Sequence, residues 1–278
     1  MKELFDNVSL KTSKLVTNSY STSFSLGIRF LNKEFHDPIY SIYGFVRFAD
    51  EIVDTFHQYN KEELLEEFKQ ETYKSIQRGI SLNPILNSFQ KVINDFNIDL
   101  QLIDTFLKSM EMDLDKKTYD AEGYKNYILG SAEVVGLMCL KVFVKGNEHQ
   151  YKTLTPYAMA LGSAFQKINF LRDLHADYQG MGRMYFPNID LSQLDDETKS
   201  ALEKDIDLDF DKGLEGIKLL PKNARFGVYV AYIYYRKLLM KIKSMHYKRI
   251  LEERVSIPNS QKMVLFARSY VKHRFNWL

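Results

Sequence analysis

The sequence predicts an all-α protein that forms a single domain over residues 1–278. Glycine and proline, which interrupt helices, supply only 13 and 6 of its residues, while phenylalanine and tyrosine supply 19 and 18. Apolar residues recur mainly at helical spacing, alternating strand patterns are scarce, and no Gly/Ser/Pro-rich linker divides the chain. These features exclude sheet sandwiches, collagen-like repeats and extensively disordered chains.

Three segments carry clear signals for the start of a helix. Asp37-Pro38 predicts a helix that runs to about residue 57, and Thr155-Pro156 predicts another that runs to about residue 177. The third begins near Pro221. Helical spacing also occurs near 62–78, 98–116 and 124–145, so by average helix length we expect about a dozen helices.

The sequence predicts a cytoplasmic protein without a transmembrane helix. Its longest apolar run is about ten residues, from Phe226 to Tyr235, whereas a span needs about 18. Glu3 and Asp6 stand where a signal peptide would be apolar, and Cys139 is the only cysteine.

Charge is distributed unevenly along the chain. The net charge is +2, but residues 236–278 contain eleven Lys and Arg against two Glu, which gives this segment +9 and residues 1–235 a net −7. A basic C-terminal segment could contact nucleic acid, an anionic membrane surface or an anionic small ligand, or form a solvated helix face.

Acidic residues follow one face of the first predicted helix. Tyr43, Arg47, Asp50 and Asp54 are spaced by four, three and four residues, and Glu51 lies at the edge of this face. We call these five residues the first acidic stripe. Apolar residues surround them, which indicates a largely buried helix on which like charges require a counter-ion.

The second predicted helix repeats this arrangement. Gln166, Asn169, Asp173 and Asp177 share a face, and Arg172 adjoins it. These five residues form the second acidic stripe. Oxygen ligands on two facing helices suit Mg²⁺, and arginines beside them are explained if the other ligand of the metal is an anion such as diphosphate.

In these motifs the sequence resembles the squalene/phytoene synthase family of head-to-head prenyl synthases. The first stripe matches Y-x3-R-x2-D-[DE]-x2-D, and the second, with Gly162 and Ala164, matches G-x-A-x-Q-x2-N-x2-R-D-x3-D. G-R-x-Y-x-P follows at 182–187, Ser21-Thr-Ser-Phe24 resembles the S-x-S-F flap, and 127–136 resembles the Y-x2-G-x-A-x3-G helix. The resemblance covers about residues 10–265 and is strongest to bacterial phytoene synthases.

The resemblance implies an isoprenoid-synthase-type helical bundle around a central cavity and a role for each motif residue. Metal binding and catalysis fall to Asp50, Asp54, Asp173 and Asp177, with Asn169 as a further ligand and Glu51 as an outer-shell or occasional one. Diphosphate binding falls to Ser21, Ser23, Tyr43, Arg47, Gln166 and Arg172, and Tyr234 and Arg254 align with further diphosphate contacts. Tyr127 would face the reacting centre.

The implied reaction is the Mg²⁺-dependent condensation of two geranylgeranyl diphosphates to phytoene in carotenoid biosynthesis. Mn²⁺ is an alternative metal, NADPH and nucleic acid are not expected, and the basic C-terminal segment suggests peripheral association with an anionic membrane. The alternatives are a C15-using dehydrosqualene or squalene synthase and a non-catalytic assembly or binding protein of the same family.

Two other features lie outside these motifs. Residues 205–211 alternate Asp with apolar residues. The glycine and glutamate that a calcium loop requires at its sixth and twelfth positions are absent, so an exposed acidic turn is expected. Gly130 and Gly162 lie inside predicted helices, where they make room either for a prenyl chain or for a close helix contact.

Overall fold

The chain is described here by a computed structural model that covers residues 1–115, 118–181, 184–187, 189 and 194–258, with side chains except at positions 115 and 176–181. This part of the chain contains twelve α-helices, which confirms the predicted all-α class. They are α1 Lys2–Tyr20, α2 Thr22–Arg29, α3 His36–Thr55, α4 Lys61–Arg78, α5 Pro84–Asp95, α6 Leu100–Asp115, α7 Ala121–Ile128, α8 Val134–Phe143, α9 Glu148–Met181, α10 Asp196–Leu219, α11 Lys222–Lys243 and α12 Tyr247–Glu252.

Several helices begin where a polar side chain caps the first turn. Ser21, Asn60, Asn83, Asp120 and Asp195 each accept a hydrogen bond from a backbone N–H of the helix that follows, at the start of α2, α4, α5, α7 and α10. Each bond satisfies a donor that would otherwise have no partner within the helix.

The predicted start of the second long helix is wrong. Helix α9 begins at Glu148, and Pro156 lies inside it. Asn147 supplies the cap, because its Oδ1 accepts a hydrogen bond of 3.0 Å from the backbone N–H of Gln150. Thr155 instead donates to a carbonyl one turn earlier, as a serine or threonine does inside a helix.

The other two predicted starts agree more closely with the structure. Helix α11 begins at Lys222 with Pro221 as its N-cap, as expected. Helix α3 begins at His36, so Asp37 and Pro38 lie in its first turn instead of forming the cap and first position.

Two large buried apolar clusters form most of the core, and a small third one contains Phe226 and Val230. Residues of α3 to α6 and α8 make up most of the first cluster. Within it, the ring of Phe45 on α3 stacks on that of Phe89 on α5 with a centroid separation of 3.9 Å. In the second, α7 and α9 to α12 surround Ile168, Phe210 and Leu238. The acidic stripes lie on one central helix of each cluster, α3 and α9.

Residues 121–143 form the described helical segment that is long and apolar enough to cross a membrane, with a mean hydropathy of 1.3. The segment comprises α7, a π-helical turn at 129–133 and α8, and it packs against α6 and α9. Half of its most apolar stretch is buried inside the bundle. Core packing therefore accounts for part of its apolar composition.

Gly130 and Gly162 permit close approach between helices. A Cβ atom at Gly162 would lie 2.8 Å from the carbonyl oxygen of Ala132 in the π-helical turn, and one at Gly130 would lie 2.6 Å from the carbonyl oxygen of Thr105. Both distances are too short for a side chain. Close helix contact therefore explains both glycines.

The acidic segment 205–211 lies within α10, so the predicted exposed turn is wrong. Lys167 on α9 donates hydrogen bonds of 2.5 Å to Asp205 and 2.7 Å to Asp209, and Asp209 also accepts one from Ser163. Asp205 and Asp209 thus pair with α9, and these ion pairs stabilise the helical conformation of segment 205–211.

Candidate active site

Arg47 bridges the carboxylates of the first acidic stripe. Its Nη1 donates a hydrogen bond of 2.5 Å to Asp50, its Nη2 donates to Glu51, and its guanidinium lies 4.4 Å from the centre of the Tyr20 ring. The Nε of Arg47 is buried and has no partner among the described residues. A ligand with an anionic oxygen at that position would satisfy it.

The first stripe carries more negative than positive charge. Burial, and then the neighbouring charges of Asp54, Asp113 and Glu51, raise the pKa of Asp50 to about 7 against the opposing effect of Arg47. The Asp50 side chain still exposes 34% of its surface. A carboxylate cluster that is partly open and short of positive charge is a suitable place for a cation.

Two arginines neutralise Asp173 in the second acidic stripe. The Nε of Arg172 lies 3.0 Å from one carboxylate oxygen, and the Nε of Arg254 donates to that same oxygen over 2.6 Å. Burial alone would raise the pKa of Asp173, but the hydrogen bonds and charges of these arginines outweigh burial and lower the pKa below its ordinary value. The predicted diphosphate residues Arg172 and Arg254 thus meet at one carboxylate.

Polar residues of α9 and α11 connect this stripe to an internal cavity. Asn169 donates from Nδ2 to Gln166 over 3.3 Å, and its Oδ1 accepts a hydrogen bond of 3.3 Å from the hydroxyl of Tyr235. Tyr235 was not predicted from the sequence. The neighbouring Tyr234, which was, is 8% exposed and lies close enough to Arg172 to interact with it electrostatically.

The predicted flap begins α2 beside the first stripe. The Ser21 hydroxyl accepts a hydrogen bond from the backbone N–H of Phe24 and makes a second one with Tyr43. The Phe24 ring stacks on that of Tyr43 at 4.7 Å. Ser23 lies in the first turn of α2 and is half-buried.

A cavity of about 280 Å³ lies between α2, α3, α8, α9, α10 and α11. Its polar lining includes Tyr43 from the first stripe and Gln166 and Asn169 from the second, together with Tyr235 and Ser131. Apolar residues line most of the remainder, including Phe24, Ile28, Leu31, Ile42, Val135, Phe143 and Phe165. Both stripes therefore begin at the wall of one apolar cavity, and their carboxylates follow within two to three helical turns.

Tyr127 is 4% exposed and is not among the residues that line this cavity. Its hydroxyl donates a hydrogen bond of 2.6 Å to Asp113 on α6, which is itself within electrostatic range of Asp50. Asp113 was missed from the sequence. A carboxylate flanked by Met112 and Leu114 in an apolar helix was the available signal.

The donors of the two stripes suit Mg²⁺ chemically. In the described residues, no group of three or more His, Cys, Asp or Glu side chains is arranged to hold a metal ion. Arginines sit against Asp50, Glu51 and Asp173 instead. The side chain of Asp177, predicted as a ligand and catalytic residue, lies outside the described residues, as do Gly182 and Arg183. Burial is the largest cause of the raised pKa of Asp50, and the charges of Asp54, Asp113 and Glu51 add to it against Arg47; a cation would offset these carboxylate charges.

Basic side chains of the C-terminal segment make contacts within the fold. Arg236 and Lys243 both pair with Asp207, Arg249 pairs with Glu253, and Lys241 donates to the carbonyl of Ser256. Residues 259–278, which carry the rest of the predicted charge, lie outside the described residues. Part of the positive charge at 236–258 is therefore committed to intramolecular partners.

Comparison with known proteins supports the resemblance seen in the motifs. The squalene/phytoene synthase family model matches residues 17–261. Chloroplastic phytoene synthase 1 of Solanum lycopersicum is 26% identical in an alignment of 279 positions that covers 92% of this chain and 66% of that protein. Phytoene synthase of Arthrospira platensis is also 26% identical, over 96% of this chain and 94% of its own length. The chain thus spans about two thirds of the length of the tomato relative.

The fold is also shared with solved structures. A crystal structure of a dehydrosqualene synthase in complex with ligand superposes with a TM-score of 0.84 and 21% sequence identity. The superposition covers 96% of this chain and 98% of that one. At this identity the agreement shows a common fold.

Proposed function

The chain belongs to the squalene/phytoene synthase family, and from that premise we propose that it is a phytoene synthase. It would join two geranylgeranyl diphosphates head to head and release phytoene and two diphosphates, which take up the two protons that the carbon skeleton loses. The observation that carries the proposal is the pair of arginine-bearing acidic stripes that begin at the wall of one apolar cavity.

The arginines of the two stripes match the demands of the first chemical step. An allylic diphosphate ionises when the charge of the departing diphosphate is stabilised. Arg47 has an unpartnered Nε for such an oxygen, and Arg172 and Arg254 converge on Asp173. These three arginines would bind the diphosphates, together with Ser21, Ser23, Tyr43, Gln166 and Tyr234.

Mg²⁺, or Mn²⁺ in its place, would be held by Asp50, Asp54, Asn169, Asp173 and Asp177, with Glu51 as an outer ligand. When bound, the metal would act as a Lewis acid toward the leaving diphosphate. A divalent cation would offset the carboxylate charges that contribute to the raised pKa of Asp50.

The apolar cavity matches the second half of the reaction. Joining the two chains gives a cyclopropylcarbinyl diphosphate, which ionises again and rearranges to a linear polyene. The carbocations formed on this route must be kept from water. Aromatic residues such as Phe24 and Phe165 line the cavity, and their ring faces stabilise positive charge without reacting with it.

The main alternative is a C15-using dehydrosqualene or squalene synthase, because the fold is shared with a dehydrosqualene synthase. Separate incubation with geranylgeranyl and farnesyl diphosphate, with Mg²⁺ and without NADPH, tests the choice by mass spectrometry of the extracted products. A dominant C40 hydrocarbon is expected. A dominant C30 product would replace this proposal with the alternative, and no Mg²⁺-dependent product from either substrate would favour a non-catalytic binding protein.

We further propose that the protein is cytoplasmic and associates peripherally with anionic membranes, where its lipid substrate and product partition. The basic C-terminal segment supports this, although part of its charge is paired within the fold. Sedimentation with anionic liposomes should exceed sedimentation with neutral ones. Equal sedimentation would contradict membrane association without affecting the proposed reaction.

A further inference from the structure

Asp113 on α6 belongs to neither acidic stripe, yet it is one of the most buried charged residues described. Its side chain is 4% exposed. It accepts a hydrogen bond of 2.6 Å from the hydroxyl of Tyr127 and one of 3.1 Å from the hydroxyl of Tyr119. Burying a carboxylate is costly unless hydrogen bonds compensate, so both tyrosines contribute to holding Asp113 in place.

The two tyrosine rings are themselves fixed by an aromatic cluster. Tyr185 stacks on Tyr119 at 5.5 Å and on Phe170 at 4.2 Å, and it lies 5.1 Å from Tyr127. Because the ring positions are set by packing, both hydroxyls converge on one carboxylate without further adjustment. The cluster joins α6 and α7 to α9, where Phe170 directly follows Asn169 of the second stripe.

Helix α6 packs against α3, which carries the first stripe, and the charge of Asp113 acts on Asp50. Asp113 therefore links the aromatic cluster, through hydrogen bonds, with Asp50, through its charge. Tyr127 is hydrogen-bonded to Asp113 and is coupled to Asp50 through it. Substitution of Asp113 or Tyr127 should therefore alter the position of the other side chain.

Building on the proposed function, we propose that Asp113 is a positioning residue for the condensation, which acts by holding the Tyr127 hydroxyl in one orientation. The hydroxyl hydrogen of Tyr127 is then used in the hydrogen bond to Asp113. The phenol oxygen stays available to accept a hydrogen bond from another group. Burial and the charge of Asp113 keep Tyr127 protonated, because both raise its pKa well above the ordinary value.

A double-mutant cycle tests whether the two residues act as a unit. We expect Asp113→Asn and Tyr127→Phe each to lower the single-turnover rate of diphosphate release by about tenfold to a hundredfold, as loss of a supporting hydrogen bond commonly does. The double variant should be no more than about threefold slower than the slower single variant, because residues that act together are not additive. Losses that multiply, or an Asp113→Asn rate within about twofold of wild type, would overturn the proposal.

A matched control exists on the same helix. Asp104, nine residues before Asp113, accepts a hydrogen bond from the hydroxyl of Tyr73 in the same manner. Asp104→Asn should leave the rate per folded molecule unchanged. If Asp113→Asn lowers only the melting temperature and leaves that rate at the wild-type value, Asp113 has a structural role and the proposal fails.

A measurement without substrate separates this inference from the proposed function. In protein with ¹³Cζ-labelled tyrosine, the Tyr127 resonance, assigned with Tyr127→Phe, should shift in Asp113→Asn and stay in place in Asp104→Asn. An unchanged resonance in Asp113→Asn would contradict the link between the two residues. Absence of diphosphate release by wild-type protein from either prenyl diphosphate would instead contradict the proposed function.

Discussion

Arg254 donates a hydrogen bond of 2.6 Å from Nε to Oδ1 of Asp173, 81 positions earlier in the chain. The next residue, Val255, is 1% exposed, and its backbone N–H donates to the carbonyl of Arg172. The segment after α12 is thus anchored on α9 at the second acidic stripe. This anchoring brings a second arginine to a carboxylate that Arg172 already contacts.

Arg254→Ala should weaken substrate binding more than turnover. Loss of one charged donor to diphosphate should raise KM about tenfold, equivalent to roughly 1.4 kcal/mol, with a smaller change in kcat. Steady-state kinetics with geranylgeranyl diphosphate measures both values. Arg249→Ala is the matched control, since Arg249 is 66% exposed and pairs with Glu253; an equal KM effect there would argue against a specific role for Arg254.

Asp50→Ala and Asp173→Ala should each lower Mg²⁺-dependent diphosphate release by at least about a hundredfold, because each removes a charge from one stripe. Release of diphosphate from the prenyl substrate is measured with a coupled assay. Asp95→Ala, which removes an exposed ion pair with Lys91 on α5, should behave as wild type. Unchanged release in both stripe variants would refute the site assignment.

Asp50→Asn should stabilise the metal-free protein at alkaline pH. The folded pKa of Asp50, about 7, lies above its ordinary value of 3.8, so its contribution to stability is fully present below about pH 4 and is lost as pH rises through 7. The amide is never charged and avoids that loss. A difference of ~1 kcal/mol would raise Tm by about 2–4 °C at pH 8.

Thermal unfolding of both proteins at pH 4 and pH 8, in EDTA, measures this difference. The two Tm values should approach each other at pH 4. Added Mg²⁺ at pH 8 should raise the Tm of wild type more than that of Asp50→Asn, because the variant has lost a candidate ligand. A lower Tm for Asp50→Asn than for wild type at pH 8 would show that the neighbouring residues stabilise the ionised Asp50 carboxylate, which would contradict the prediction.

Gly162→Ala should destabilise the fold because its Cβ would lie 2.8 Å from a backbone oxygen of Ala132. Overpacking of this kind costs about 1–3 kcal/mol. Gly27→Ala is the control, since its Cβ would have no neighbour closer than 3.8 Å, an ordinary contact. Chemical denaturation should give a lower free energy of unfolding for Gly162→Ala and an unchanged or higher one for Gly27→Ala. Equal effects would show that the π-helical turn adapts to the added methyl group.

Most of the helices were predictable from the sequence because their signals are local. The three- and four-residue spacing of apolar side chains, together with Pro221, predicted helices that the structure confirms. The prediction failed where a neighbouring helix decided the outcome. Thr155-Pro156 has the pattern of a helix start but lies inside α9. Asp205 and Asp209 were predicted to lie in a turn, but they lie in α10 and pair with Lys167 on α9.

The sequence by itself determined that Tyr43, Arg47 and Asp50 share one helix face, because 3.6 residues per turn place positions three and four apart on the same side. Only the tertiary structure decided which distant residues meet that face. The contacts of Tyr127 with Asp113 and of Arg254 with Asp173 join separate helices or segments. Their distances depend on how those elements pack, and packing depends on side-chain volumes throughout both cores and not on the spacing within any one helix.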